Sequence, residues 1–168
     1  MTRPTKDQYF MSIARIVATR STCLRRAVGC VLVNERGHIL ATGYNGVAAG
    51  QGHCNEARGH TYGRANPGDI GMIQIPVYPY ACPGAQSKSG EALDECGAIH
   101  AEQNALLQCA DVHEIFACYT TTEPCVTCAK LLLNTSCRTV YFAEPYAGAK
   151  FGESLFLAGK RTWVHISN

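Results

Sequence analysis

The sequence predicts a single α/β domain of three layers, in which helices flank a central mixed sheet. Three observations lead to this fold class: an apolar pattern of helical spacing near the amino terminus, a β-branched hairpin after it, and short strands alternating with helices further on. Strands that alternate with helices are typical of a sheet covered by helices. The chain shows no internal repeat and no second unit, so we expect one domain over residues 1–168.

The individual elements follow from the spacing of apolar side chains. A helix is predicted over residues 5–21, where Tyr9, Ile13, Ile16 and Val17 recur at helical spacing. Two β-branched runs, at 27–33 and 38–44, predict a hairpin. The later predicted elements are a helix at 99–109, a strand at 115–121, a helix at 125–133, a strand at 138–143, a helix at 150–158 and a strand at 162–166.

Residues 46–95 form a long insertion that is rich in Gly, Pro, Asn and Ser. A segment of this length without regular structure is unusual in a compact domain unless it is functional or held in place. Cys54 and Cys82 offer a means of holding it.

Composition and charge exclude several classes of protein. With 46% hydrophobic and 17% charged residues, the chain is typical of a globular protein. The formal net charge of +2 argues against a partner that is a nucleic-acid polymer. No apolar run approaches the roughly 18 residues of a membrane span, and the polar start lacks a signal core, so we expect a cytoplasmic protein. In that reducing compartment, ten cysteines favour metal ligation over disulfides.

A metal site is predicted from His100, Cys125 and Cys128. One imidazole and two thiolates fill three of the four tetrahedral positions around zinc and leave the fourth for water. The two cysteines are three residues apart at a helix start, so they lie on one side, and the helix amino terminus favours their thiolate forms. The alternative is a structural zinc, or a buried redox pair with an unrelated histidine.

Glu102 is the predicted proton carrier of this site. Zinc with two thiolates is formally neutral and acidifies its water less strongly than zinc with three neutral ligands, so a neighbouring base must assist. His-Ala-Glu followed by Pro-Cys-x-x-Cys resembles the signature of zinc nucleobase deaminases. For such a reaction we expect Glu102 to move a proton from the water to ring nitrogen N3 of the base and to help protonate the departing ammonia. The free carboxylate argues against a catalytically silent zinc module that only binds nucleotides or partners.

The chain further resembles the deoxycytidylate (dCMP) deaminases of the cytidine and deoxycytidylate deaminase superfamily. The resemblance spans most of the chain and is carried by Ser21-Thr22-Cys23, Arg25-Arg26-Ala27-Val28-Gly29, Thr42-Gly43-Tyr44-Asn45-Gly46, Gly52-His53-Cys54, Ile99 to Ala105, and Glu123-Pro124-Cys125 to Lys130. It implies a cytidine deaminase-like fold and zinc-dependent hydrolysis of dCMP to dUMP and ammonia, which feeds thymidylate synthesis. Deamination of dCTP, free cytidine or tRNA adenosine is the alternative among enzymes.

The resemblance also implies substrate contacts. Asn45 is expected to hydrogen-bond the deoxyribose 3′-hydroxyl, Arg26 to bind the 5′-phosphate, and Ala101 to contact the substrate beside His100. Asn45 is otherwise a turn residue of a type that tolerates the left-handed region, and Arg26 a solvated surface charge. Tyr44 either stacks on a base or fills the core.

A second, structural zinc is implied in the same way, with Cys23 and Cys54 as ligands. Cys82 and Cys96 would complete a four-thiolate site, or His53 would replace one of them. The alternative is that these cysteines are free and buried. Relatives are commonly hexamers activated by dCTP and inhibited by dTTP, so a homohexamer with these two effectors is expected.

Overall fold

The computed structural model describes residues 2–54, 82, 84, 87–88, 90–91 and 95–167, so residues 55–81 of the predicted insertion lie outside the described residues. Within the described part, the strands are β1 (Gly29–Val33), β2 (Ile39–Tyr44), β3 (Gly46–Val47), β4 (Ala98–Ile99), β5 (Ala117–Thr122), β6 (Thr139–Glu144) and β7 (Thr162–His165). The helices there are α1 (Lys6–Ala18), α2 (Ala101–Gln108), α3 (Val126–Leu133) and α4 (Lys150–Ala158), with a 3₁₀ turn at Val112–Glu114. None of these described helices combines the length and apolarity needed to cross a bilayer.

The main sheet is mixed, with the strand order β2-β1-β5-β6-β7, while β3 pairs with β4 beside it. The β1–β2 and β1–β5 pairs are antiparallel, whereas β5, β6 and β7 run parallel. Every residue of β1 and β5 is buried, as expected for central strands covered on both faces. The turn between β1 and β2 needs Gly37, whose φ of 83° lies in the left-handed region.

Helices cover both faces of this sheet, which confirms the predicted three-layer fold class. On one face, α1 packs Phe10, Met11 and Ala14 against side chains of β1 and β5. The opposite face packs against α2, α3 and α4 through Ala105, Leu132 and Phe156 among others. Helix α1 begins at a capping box, in which Thr5 and Gln8 each accept a hydrogen bond from the other's backbone N–H.

The apolar pattern of α1 predicted the helix but not the residues that it buries. Tyr9 and Ile16 are 50% and 68% exposed, whereas the buried side includes the small residues Ala14 and Ala18. The reason is close packing: a Cβ at Gly29 of β1 would lie 2.1 Å from the Ala14 carbonyl oxygen. Helix and strand therefore touch through small residues, and the larger apolar side chains lie outside the contact.

Because of the strand directions, four connecting segments lie at the same edge of the sheet. Parallel strands β5 and β6 end there, and because β1 is antiparallel to β5, the start of β1 and the end of β2 reach the same edge. Four segments thus meet: the one before Gly29, the one after Tyr44, the one after Thr122 and the one after Glu144. This edge is where ligands bind in open α/β sheets.

Candidate active site

The three predicted metal ligands come together at this edge. His100 is the N-cap of α2, Cys125 is the N-cap of α3, and Cys128 lies in the first turn of α3. Both cysteine Sγ atoms are 3.4 Å from His100 Nδ1. Among the described residues, these form the group of His, Cys, Asp or Glu whose three ligand atoms lie within 4.8 Å of one another.

Helix α2 is fixed at its start by local contacts. The His100 backbone N–H donates to Gln103 Oε1 over 2.8 Å, and Asn104 Nδ2 donates to the Tyr44 carbonyl over 2.8 Å. Gly43 of β2 allows the close approach, because a Cβ there would lie 2.3 Å from the Ala101 carbonyl oxygen. The sheet therefore holds the amino terminus of α2 through a close backbone approach at Gly43 and through the Asn104 side chain.

The electrostatics of the trio favour a bound divalent cation. A hydrogen bond with Cys128, and another with His100, lowers the pKa of Cys125 to about 4. The hydrogen bond with Cys125, together with burial, instead raises the pKa of Cys128. The side chains alone thus stabilise one thiolate, and the second needs a cation. One imidazole and two thiolates fit zinc with an open coordination position.

Glu102 lies beside the trio without belonging to it. Its side chain is 4% exposed, and burial raises its pKa, against a smaller lowering by the neighbouring His100. The Thr120 hydroxyl lies 3.5 Å from Glu102 Oε1 and 3.1 Å from the Thr122 carbonyl oxygen. A buried carboxyl that is not a ligand is available to hold and move a proton.

A cavity opens in front of these residues, and it includes most of the predicted substrate contacts. Arg26, Asn45 and Ala101 line it together with His100, Glu102 and Cys125. Tyr44 does not belong to this lining; it lies at the end of β2 and is 37% exposed. The structure therefore brings three of the four predicted substrate residues to the metal ligands and leaves Tyr44 outside.

Two arginines give one wall of the cavity a positive charge. The Nη1 atoms of Arg25 and Arg26 are buried and have no hydrogen-bond partner within the described residues. Arg25 Nη2 donates to the carbonyl oxygens of Lys88 and Glu91, the latter over 2.6 Å. A buried, unpaired guanidinium N–H is costly, so this wall favours an anionic ligand. Arg25 had no predicted role, although its position next to Arg26 before a strand was a signal for it.

The Asn45 side chain hydrogen-bonds the segment before β1 that carries Arg25 and Arg26, called here the arginine segment. Its Oδ1 accepts from the Val28 N–H over 2.8 Å and from Ser21 Oγ over 2.7 Å, while Nδ2 donates to the Arg26 carbonyl over 2.7 Å. One amide N–H remains for a ligand. Asn45 does not adopt a left-handed conformation: among the described residues other than glycine, only Lys160 has positive φ.

Three cysteines of the implied second metal site pack together. Cys54 and Cys82 are each 2% exposed and pack with Cys96. Burial raises the pKa of Cys54 to about 12, and nearby Cys82, Cys23 and Cys96 add to the rise. The Gly97 N–H donates to Cys82 Sγ over 3.1 Å. His53, the alternative ligand, has its Nδ1 3.3 Å from Thr22 Oγ1.

Comparisons with known proteins agree with this site. The family model described as "Cytidine and deoxycytidylate deaminase zinc-binding region" matches residues 4–144. The deoxycytidylate deaminase of Mycobacterium phage D29 is 36% identical over 145 residues, which are 86% of this chain and 98% of that protein. The deoxycytidylate deaminase of Schizosaccharomyces pombe is also 36% identical, over 148 residues; the match covers 86% of this chain but only 38% of the length of the yeast protein.

A solved structure shares the fold. The dCMP deaminase from the cyanophage S-TIM5, in complex with dCMP and dUMP, superposes with a TM-score of 0.65 at 21% identity. The match covers 99% of this chain and all of that one, at 100%.

Proposed function

The chain belongs to the cytidine and deoxycytidylate deaminase family, and from this membership we propose that it hydrolyses dCMP to dUMP and ammonia with the help of zinc. One observation carries the proposal: the His100, Cys125 and Cys128 trio shares a cavity with a buried carboxylate, that of Glu102, which is not part of the ligand group. A structural zinc site has no use for such a carboxylate, whereas a hydrolytic deaminase requires one.

His100, Cys125 and Cys128 would hold the zinc. When bound, zinc supplies Lewis-acid activation of water at its open coordination position. Because two thiolates cancel its charge, the activation is weaker than with three neutral ligands. The residues around the metal must therefore carry out the proton transfers.

Glu102 performs these transfers in the proposed mechanism. Its carboxylate takes a proton from the attacking water and gives it to cytosine N3, which makes C4 a better electrophile. After attack at C4, the same carboxylate takes the proton of the new C4 hydroxyl and passes it to the amino group, so that the C4–N bond breaks, ammonia leaves and the C4 carbonyl of the product forms. Burial suits this double role, since it raises the pKa of Glu102 towards the range in which one group can both accept and donate a proton.

The cavity wall formed by Arg25 and Arg26, called here the arginine wall, supports a phosphorylated substrate. We assign the 5′-phosphate to Arg26, assisted by Arg25, because each has a buried Nη1 without a partner within the described residues. The remaining amide N–H of Asn45 is assigned to a sugar hydroxyl and Ala101 to the base, since both residues line the cavity. The cyanophage enzyme of the same fold was solved with dCMP and dUMP, which agrees with this substrate class.

We also propose a second, structural zinc, held by Cys23, Cys54, Cys82 and Cys96, with His53 as the alternative to one thiolate. The burial of Cys54 and Cys82 beside Cys96 supports it, as does the hydrogen bond that the Gly97 N–H donates to Cys82 Sγ. Such a site would order an insertion that is too polar to fold by burial alone.

Three further proposals rest on the family resemblance: the dUMP feeds thymidylate synthesis, dCTP activates and dTTP inhibits the enzyme, and the chain assembles as a cytoplasmic homohexamer. Light scattering on the purified protein tests the assembly, and a mass other than six chains would contradict it.

One assay tests the reaction and its regulation. Ammonia release is measured with the zinc-loaded protein on dCMP, dCTP, deoxycytidine and CMP, each with and without dCTP or dTTP as effector. We expect the highest kcat/KM for dCMP. A preference for dCTP would make the chain a dCTP deaminase, and no release from any of the four would support a nucleotide-binding module without activity.

A further inference from the structure

Glu123 lines the cavity but has no task in the proposed reaction. It stands directly before Pro124 and the ligand Cys125, in a region that already carries thiolates and is proposed to receive a phosphate. A further negative charge at this place opposes the binding of an anion. The side chain must therefore contribute something that compensates for its charge.

Both carboxylate oxygens of Glu123 accept hydrogen bonds from other parts of the fold. Oε2 accepts from the Tyr146 backbone N–H over 2.8 Å, and Oε1 accepts from the Trp163 indole N–H over 3.0 Å. The Glu123 N–H itself donates to the Glu144 carbonyl over 2.8 Å. Glu123 thus joins the loop that carries Cys125 to the loop after β6 that carries Tyr146.

The Tyr146 ring reaches the arginine wall. It lines the cavity, and the guanidinium carbon of Arg26 lies 6.0 Å from the ring centroid. Gly148 makes room for it, because a Cβ there would lie 2.7 Å from Tyr146 Cε1. A cation over an aromatic face is attracted to it, so the ring restrains the long, flexible arginine side chain.

We propose that Glu123 is a positioning residue that holds Tyr146 against Arg26 and thereby sets the affinity of the cavity for the phosphate end of the nucleotide. The inference rests on the proposed function and extends it. Discrimination between a nucleotide and a nucleoside then depends on the loop after β6 as well as on the arginines before β1.

Glu123→Gln tests the proposal by the direction of its effect. The amide keeps one acceptor oxygen, so one of the two N–H donors loses its partner and the Tyr146 loop is released. We expect the KM for dCMP to rise about tenfold, while kcat changes less than about threefold and the KM for deoxycytidine stays the same. If Glu123 acted only through its charge, removing that charge would lower the KM for dCMP.

The matched control is Glu144→Gln, which makes the same charge change at an exposed residue of β6. Its KM for dCMP is expected to stay within about twofold of the wild-type value. A Glu123→Gln variant with an unchanged or lower KM for dCMP would overturn the proposal, even if the wild-type protein deaminates dCMP normally. The failure of the inference is thus distinguishable from failure of the proposed function.

A second measurement does not depend on turnover or on the folding of Glu123→Gln. Trp163 is the single tryptophan of the chain, and its indole donates to Glu123. In a Glu102→Gln background, dCMP binding should change the Trp163 emission, and deoxycytidine binding should not. In that background, Tyr146→Leu should abolish this change and raise the Kd for dCMP, measured by calorimetry, about tenfold, with no additional rise when Arg26→Ala is also present. Additive effects of Tyr146→Leu and Arg26→Ala would contradict the link.

Discussion

Individual side chains of this protein differ sharply in what they can do with a proton or an anion. Glu102 is 4% exposed beside the three proposed metal ligands and does not belong to that group, so its carboxyl is available to exchange a proton. Arg26 instead offers guanidinium N–H donors to an anion, and its buried Nη1 lacks a partner within the described residues. Proton transfer and phosphate binding can therefore be tested separately.

Replacing Glu102 by Gln should abolish turnover while the zinc stays bound. The amide has nearly the same shape but cannot carry a proton between water and N3, so we expect kcat to fall at least about 100-fold. Steady-state kinetics and metal analysis measure the two effects. Glu35→Gln, at an exposed turn position, is the control. Normal turnover in Glu102→Gln would rule out the proton role.

Arg26→Ala should discriminate between nucleotide and nucleoside. Loss of a charge-assisted contact to phosphate is expected to lower kcat/KM for dCMP by about 10- to 100-fold and to leave that for deoxycytidine nearly unchanged. Arg36→Ala, in the exposed hairpin turn, should have no effect on either substrate. Equal losses on dCMP and deoxycytidine would exclude a phosphate contact for Arg26.

Secondary-structure elements place these side chains through backbone contacts. The amino termini of α2 and α3 both meet the metal ligands, and their positive ends favour thiolates. Helix α2 reaches its position because Gly43 of β2 lets its backbone approach. A short helix of eight residues is stable here through packing on the sheet rather than through its own propensity.

Gly43→Ala should therefore displace α2 and damage the site. The new Cβ would meet the Ala101 carbonyl oxygen and the Ala105 nitrogen at 2.3 Å, and neither backbone atom can move alone. We expect a loss of about 1–3 kcal/mol in the free energy of unfolding, measured with urea, and a lower kcat. Gly46→Ala is the control, because its Cβ would meet Thr22 Oγ1 at an ordinary 3.5 Å. Equal stability of the two variants would refute this packing argument.

For the molecule as a whole, the cysteines divide into groups with different surroundings. Cys30 and Cys118 are buried in the sheet, with their Sγ atoms 3.5 Å apart, and act as small apolar side chains. Cys54 and Cys82 lie instead within the insertion and pack with Cys96. If a metal links them to Cys23, the insertion is joined to the domain by coordination rather than by a core.

Cys54→Ser should then reduce the zinc content from two to one per chain. The catalytic trio keeps its metal, so some activity remains, and we expect the thermal midpoint to fall by about 5 °C or more. Cys109→Ser, at a half-buried residue outside both groups, should keep both metals. Two zinc ions retained in Cys54→Ser would eliminate the second site.

The sequence predicts those structural features that depend on interactions between residues close together in the chain. The mixed sheet, the order of its helices and strands apart from the short pair β3 and β4, and the bounds of α4 agree with apolar periodicity, because that pattern reflects which side of an element is buried. The buried side of α1 was not predictable, since it depends on contact with Gly29, a residue on another element. The role of Asn45 in holding the arginine segment was also missed, because its partners are 17 to 24 residues away.

The sequence alone predicted the cluster of His100, Cys125 and Cys128 with Glu102 beside it, because a helix start places His100 near Glu102, and Cys125 near Cys128, by spacing along the chain. Only the tertiary structure decided which charges share the cavity with them. Arg25, Arg26, Glu123 and Tyr146 come from three loops that meet at one sheet edge. Their meeting depends on strand order and direction, which no local pattern of residues encodes.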